Sequence, residues 1–325
     1  MTARSDAPVA VIIAARNMEG RIARSVRSAL DQAEVGEVIV VDDGSTDGTA
    51  TAAQAADDGS SRLRVIVQPV NLGPSAARNC AIAASVAPIL AILDADDFFL
   101  PNRFARLLAI PDWDVIADNI AFVRECDLPR FDPVQIADLP LATHTLTLEE
   151  FILGNISLPG KKRGELGFSK PLLRRSLLES TGLAYREELR LAEDYAFYAE
   201  LMAAGGRFVR IRTCGYVSVE RENSLSAVHG AMELAELQKF DQEFYGNLAL
   251  SSAAREALVR HTNHIANKVH YRQLLDARKQ LGRLRAMTSA SKTPWRLPML
   301  IKAVMLDKWL ARQRPQTFKE TRYLF

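Results

Sequence analysis

Cysteine is scarce in this 325-residue chain: Cys80, Cys126 and Cys214 stand far apart, with no CxxC pair. That excludes a disulfide framework as the source of the fold, and an odd number of cysteines at such spacings fits a reducing compartment. Long apolar runs are missing too. No segment approaches the roughly 18 uncharged apolar residues of a membrane span, and residues 1–8 carry Arg4 and Asp6 but no apolar signal-peptide core. The sequence thus predicts a protein that is neither secreted by that route nor embedded in a bilayer. Gly-x-Gly-x-x-Gly and P-loop patterns are also lacking, which removes the commonest glycine-based phosphate cradles.

What is present is an ordinary globular composition, 48% hydrophobic and 25% charged, enough for one large domain with an appendage. The formal net charge of +2 hides a division. Residues 268–325 hold 14 Lys and Arg against three acids, Asp276, Asp307 and Glu320, an excess of 11 positive charges that leaves the rest of the chain at −9. A tail of that sign seeks polyanions: an anionic membrane surface, a nucleic acid or a phosphorylated carrier.

Four short apolar runs occupy the first third: Val9 to Ile13, Glu37 to Val41, Leu63 to Val67 and Pro88 to Leu93. Between them, Ile22, Val26, Ala29 and Leu30, then Ala76, Ala77, Ala81 and Ala84, fall at helical spacing. The runs end 28, 26 and 26 residues apart, the length of a βα unit, which predicts a mostly parallel sheet flanked by helices. Such sheets bind ligands at the carboxyl ends of their strands. Further on, Thr147 with Glu150 predicts a capping box, residues 172–180 and 192–204 read as helices, and 231–286 as amphipathic helices with Leu258, Ile265, Val269 and Leu274 or Leu275 facing a core. The domain division that follows is 1–230 for the α/β part and 231–325 for a helical, basic extension.

Polar clusters follow all four strands: Arg16-Asn17, Asp42 to Asp47, Asn71 to Pro74, and Asp94-Ala95-Asp96-Asp97. Ser45, Thr46 and Asp47 read as turn and helix-cap residues. Asp42, at the end of a buried strand, has the chemistry to accept a hydrogen bond from a nucleobase ring N–H. Carboxylates crowded at residues 94–97 repel one another unless charge is offset, so a hard divalent cation on a short DxD is the economical reading, with a helix cap at Asp96 or Asp97 as the alternative.

In order and spacing, Val11 to Asn17, Val41 to Asp47, Asn71 to Asn79, Asp94 to Asp97 and Ala192-Glu193-Asp194 resemble glycosyltransferase family 2, the GT-A fold of inverting nucleotide-sugar enzymes. The likeness covers about residues 8–215. From Gly164 to Phe168 and Ala192 to Tyr198, the chain is similar to enzymes that build succinoglycan-type exopolysaccharides. The resemblance implies a Rossmann-like GT-A domain in which Asp42 binds the base, usually uracil, Arg78 the nucleotide, and Asp94 and Asp96 the ribose and the metal-diphosphate. Ala15, Arg16, Asn17, Asn71, Gly73 and Ala95 complete the donor rim. It implies Mn²⁺ or Mg²⁺ as cofactor, and Asp194 as the base that deprotonates the acceptor hydroxyl. One departure stands out: the family often has Pro-Ala-Tyr-Asn after the first strand, whereas this chain has Ala14-Ala15-Arg16-Asn17, with a guanidinium plane in place of the aromatic neighbour of the base.

Arg221, in a run that includes Ser224 and Ser226, is a candidate to close over the diphosphate, and His229 to complete the metal shell. The trio His261, His264 and His270 lacks zinc-pair spacing and reads as solvated helix positions. Trp295 to Leu310 mixes large apolar residues with flanking cations, as an interfacial helix or a closing core helix does. The function so implied is inverting transfer of a sugar, glucose from UDP-glucose foremost, to a lipid-linked saccharide by a cytoplasmic protein peripheral at the inner face of the membrane. A nucleotidyltransferase or a non-catalytic nucleotide-sugar scaffold are the alternatives. No nucleic-acid reader module is recognisable.

Overall fold

The computed structural model describes residues 7–131, 142–157, 164–221, 230–290, 305 and 321–324, and of 278–290 the backbone alone. Two sequence expectations lie outside the described residues: His229 with Ser224 and Ser226, and the Trp295 to Leu310 segment apart from Met305.

The first third alternates as the repeat predicts: β1 (Val9–Ala15), α1 (Ile22–Leu30), β2 (Val35–Asp43), α2 (Thr49–Gln54), β3 (Leu63–Gln68), α3 (Pro74–Ala84) and β4 (Ile89–Asp94). Then follow β5 (Phe98–Phe99), α4 (Arg103–Leu108), β6 (Val115–Arg124), β7 (Thr143–Leu146), α5 (Leu148–Leu153), β8 (Leu172–Arg174), α6 (Arg175–Thr181), α7 (Glu193–Ala203), β9 (Phe208–Glu220), α8 (Ala231–Tyr245), α9 (Ser252–Ala290) and β10 (Arg322–Tyr323). The capping box forms at the start of α5, where Thr147 and Glu150 satisfy each other's backbone N–H. Residues 172–180 are not one helix: Leu172–Arg174 pair as β8 before α6 begins, because the two leucines fill a gap between β4 and β6.

The sheet runs β3-β2-β1-β4-β8-β6-β9-β5, with β10 on β6 and β7 on β9. Its first four strands are parallel. β8 runs antiparallel to both β4 and β6, and β6 is parallel to β9. The carboxyl ends of β1, β2, β3, β4, β6 and β9 therefore share one rim, and β8 contributes its amino end there. Both faces of the central strands are apolar because both are covered. Ala10 and Ile12 pack with α3, α7 and α8 on one side, while Val11 and Ile13 pack with α1 and α4 on the other. Leu237, Phe240, Leu258, Ile265 and Val269 of α8 and α9 join the same cluster as Tyr195 and Phe197 of α7.

α9 also corrects the histidine expectation. His261 is buried, its Nδ1 2.7 Å from Asp241 Oδ2, and Tyr195 donates to Asp241 Oδ1 at 3.2 Å. His264 is half-buried with Nε2 3.0 Å from Ser157 Oγ, and burial lowers its pKa to about 4. His261 falls on the same helical stripe as Leu258 and Ile265, which is why it points inward.

Candidate active site at the sheet rim

Neighbouring loops at the rim are stitched together through short polar side chains. Asn17, with φ of +52°, donates its N–H to Ser45 Oγ at 2.9 Å and accepts from the Thr46 N–H at 2.9 Å. Ser45 and Thr46 thus tie the first loop to the second rather than capping α2. Asp47 alone acts as a cap, accepting from the Thr49 N–H at 3.1 Å. Asp42 sits in register with Ala15 and accepts from the Ser45 N–H at 2.9 Å, while Arg16 is exposed above them. Asp43, to which the sequence reading gave no role, accepts from the N–H groups of Leu72 and Gly73 at 2.6 and 2.9 Å. Alternation along β2 explains the split, since consecutive side chains point to opposite faces. Asn71 and Gly73 are thereby held against the end of β2. Gly44, at φ of +65°, lets that loop approach: a Cβ there would stand 2.7 Å from Asn71 N.

The three acidic residues at 94–97 separate by environment. Asp97 is buried, accepts from the Tyr216 hydroxyl and the Val219 N–H at 2.8 Å each, and is pushed well above the usual carboxylate range by burial and by Asp96 and Asp94. It braces the turn and caps no helix. Tyr216 also accepts from the Asp94 N–H at 3.1 Å, and Ser25 donates to the carbonyls of Ala95 and Asp97. Two carboxylates are left for the cleft. Asp94 Oδ1 lies 3.1 Å from Arg78 Nη2 and Oδ2 lies 2.9 Å from Lys170 Nζ. Burial works against ionisation of Asp94, but the cations of Lys170 and Arg78 outweigh it and hold its pKa at about 2. Asp96 is raised by burial and by Asp94, and is opposed by Arg221, whose guanidinium pairs with Asp96 Oδ2.

Arg78 lies buried under this wall. It pairs with Glu193 Oε1 at 2.8 Å and packs over the Tyr185 ring. Asp194, in the first turn of α7, completes the cluster: Oδ2 accepts from Lys170 Nζ at 2.7 Å, and Oδ1 stands 3.6 Å from Arg78 Nη1. That Oδ1 is buried and has no hydrogen-bond partner among the described residues. The structure therefore brings Arg78, Asp94 and Asp194 into one cluster and pairs Asp96 with Arg221. Lys170 was missed by sequence reasoning, because a lone lysine before Pro171 carries no motif. A shallow cavity of about 430 Å³ lined by Asp112, Trp113, Asp114, Arg174 and Arg207 lies at the opposite end of the sheet, away from this chemistry.

Comparisons with known proteins bear on the family and the fold. Residues 10–177 match the glycosyl transferase family 2 domain. The chain is 44% identical over 315 residues to the succinoglycan biosynthesis protein ExoU of Rhizobium meliloti, covering 95% of this chain and 90% of that protein. It is 32% identical to the succinoglycan biosynthesis protein ExoO of the same organism, covering 89% and 82%. The crystal structure of S. aureus TarS 1-349 in complex with UDP-GlcNAc superposes with a TM-score of 0.60 at 21% identity, covering 84% of this chain and 74% of that one. The chain belongs to glycosyl transferase family 2 and is a glycosyltransferase.

Proposed function

We propose that this glycosyltransferase moves a sugar, glucose from UDP-glucose foremost, with inversion onto a lipid-linked saccharide during surface polysaccharide assembly. The observation that carries the reading is the Asp194 carboxylate at the rim, its Oδ2 2.7 Å from Lys170 Nζ and tied through that ammonium to Asp94. The acceptor hydroxyl donates to the Asp194 carboxylate. Its oxygen attacks the anomeric carbon as the bond to the diphosphate breaks, and the proton passes to Asp194. Glu193 holds Arg78, which with Lys170 keeps Asp94 charged beside the donor, and Asp42 meets the base with Arg16, Asn17, Asn71 and Gly73 around it.

Asp96 fits a hard divalent cation, Mn²⁺ or Mg²⁺. Its carboxylate is raised by burial and by a like charge beside it, and a cation in the cleft relieves both. Asp94 is already compensated by Arg78 and Lys170, so Asp96 would be the principal ligand with Asp94 behind it. The bound cation supplies neutralisation of the charge that develops on the departing diphosphate. Arg221, which pairs with Asp96 here, would be displaced by a cation on that carboxylate and could then meet the diphosphate.

The names of ExoU and ExoO support polysaccharide assembly, and the ligand of TarS supports a UDP-sugar. The 14 basic residues of 268–325 support peripheral attachment at the anionic inner face of the cytoplasmic membrane, where a lipid-linked acceptor resides. No helix among the described residues is long and apolar enough to cross a membrane. The test is incubation of UDP-[¹⁴C]glucose and Mn²⁺ with the protein and a lipid extract of a polysaccharide-producing bacterium. Label should enter an organic-phase saccharide as a β-glucoside. Label that stays on the nucleotide, with UDP-galactose and UDP-GlcNAc behaving alike, refutes the reading.

A further inference from the structure

Lys170 is placed by elements unlike those of any other rim residue. It precedes β8, the strand that runs against its neighbours, so an amino-terminal strand end enters a rim of carboxyl ends. Its backbone is fixed from below: Arg103 Nη2 donates to the Lys170 carbonyl at 2.5 Å, and Arg103 is itself buried against Asp118 at 2.9 Å. The side chain, only 5% exposed, ends between two carboxylates, 2.7 Å from Asp194 Oδ2 and 2.9 Å from Asp94 Oδ2. Arg78 spans the same two residues from their Oδ1 atoms at 3.1 and 3.6 Å. Of the four oxygens, Asp94 Oδ1, Asp94 Oδ2 and Asp194 Oδ2 are held by hydrogen bonds or close ion pairs. Asp194 Oδ1 is buried beside Arg78 and the Tyr185 hydroxyl.

We infer that Lys170 is the positioning residue of the transfer reaction: by holding Asp194 Oδ2 it fixes the orientation of the carboxylate, and by sharing its ammonium with Asp94 it ties the base to the donor side of the cleft. The inference rests on the proposed role of Asp194. Without the ammonium, Asp94 and Asp194 face each other with Arg78 alone between them. Two close carboxylates then repel each other, and the base loses its fixed rotamer. A misplacement of about 1 Å at such a site costs on the order of 10²-fold in rate.

The experiment compares wild type, Lys170→Met and Lys170→Arg by UDP release from UDP-glucose with Mn²⁺ and the lipid-extract acceptor, alongside calorimetric UDP binding and circular dichroism. The account expects K170M to bind UDP within about threefold of wild type and to lose about 10²-fold in kcat with little change in KM. K170R should recover at least tenfold of the loss. If K170M is unfolded, K170R decides: a rate within tenfold of wild type supports the role, and a rate as low as that of Asp194→Asn overturns it. A folded K170M with kcat within threefold of wild type overturns the inference. So does a K170M whose rate falls only in step with UDP affinity and is not rescued by arginine. A wild type that binds UDP-glucose but releases no UDP with the acceptor extract present refutes the proposed donor and acceptor, and the inference is then tested with the sugar nucleotide that does turn over.

Discussion

Replacing Asp194 by asparagine keeps the volume of the side chain and removes its charge. In the folded protein, the amide oxygen takes the place of Oδ2 and accepts from Lys170, which puts the amide nitrogen where Oδ1 was, toward Arg78 at 3.6 Å. The side chain proposed to receive the acceptor's proton can then no longer take one. General-base assistance contributes about 10² to 10⁴ in rate, equal to about 2.7–5.5 kcal/mol of barrier at 1.36 kcal/mol per decade. The stability cost is smaller. Lys170 keeps Asp94 and Arg78 keeps Asp94 and Glu193, so the loss is one charge-assisted hydrogen bond, about 1.5–3 kcal/mol. UDP release from UDP-glucose should therefore fall by at least about 10²-fold in D194N, while UDP affinity stays within about threefold and the melting temperature drops by several degrees. A D194N enzyme with kcat within tenfold of wild type refutes the assignment. Loss of UDP affinity in step with rate would instead make Asp194 part of the donor wall.

Gly215→Ala should destabilise the protein by several kcal/mol by denaturant titration, because its Cβ would stand 2.5 Å from both Arg103 Cγ and Asp118 Oδ2 in a fully buried pair. Unchanged stability would show that the Arg103–Asp118 brace is looser than described. In acid, the lowered pKa of Asp94 contributes stability that is present above the ordinary carboxylate range and is lost as pH falls toward about 2. Asp94→Asn should flatten that part of the stability–pH curve relative to wild type, whereas Asp96 and Asp97, both raised, act in the opposite direction. The raised Asp96 also means that protons compete with the cation at a higher pH than at an ordinary carboxylate, so Mn²⁺ affinity measured by calorimetry should weaken on going from pH 7 to pH 5.

The parallel half of the fold was legible because hydrophobic period and turn chemistry agree there. Val9 to Ile13 and Ile89 to Leu93 are buried on both faces and read as central strands once Asn17 and Asp94 end them. The reversal at β8 was not legible. Leu172 and Leu173 continue into the pattern of α6, and only the space between β4 and β6 makes them a strand. Lys170 was hidden for the same reason, since its place on the rim depends on strand direction and not on spacing. Asp43 and His261 did carry a signal. The alternation of β2 puts Asp42 and Asp43 on opposite faces, and the stripe Leu258, His261, Ile265 marks the histidine as inward. The crowding of Asp94, Asp96 and Asp97 was read as a demand for a cation, and part of that demand is met by Lys170, Arg78 and Arg221, which lie 76, 16 and 125 residues from their carboxylate partners.

The central claim is that the rim binds a UDP-sugar with a divalent cation on Asp96. Calorimetric titration of UDP and UDP-glucose into the protein, with Mn²⁺ and with chelator, in wild type and Asp96→Ala, tests it most directly. The account predicts metal-dependent binding in wild type that is lost in D96A and in chelator. A folded wild-type protein that binds neither nucleotide with Mn²⁺ present, or a D96A variant that binds both as wild type does, contradicts it.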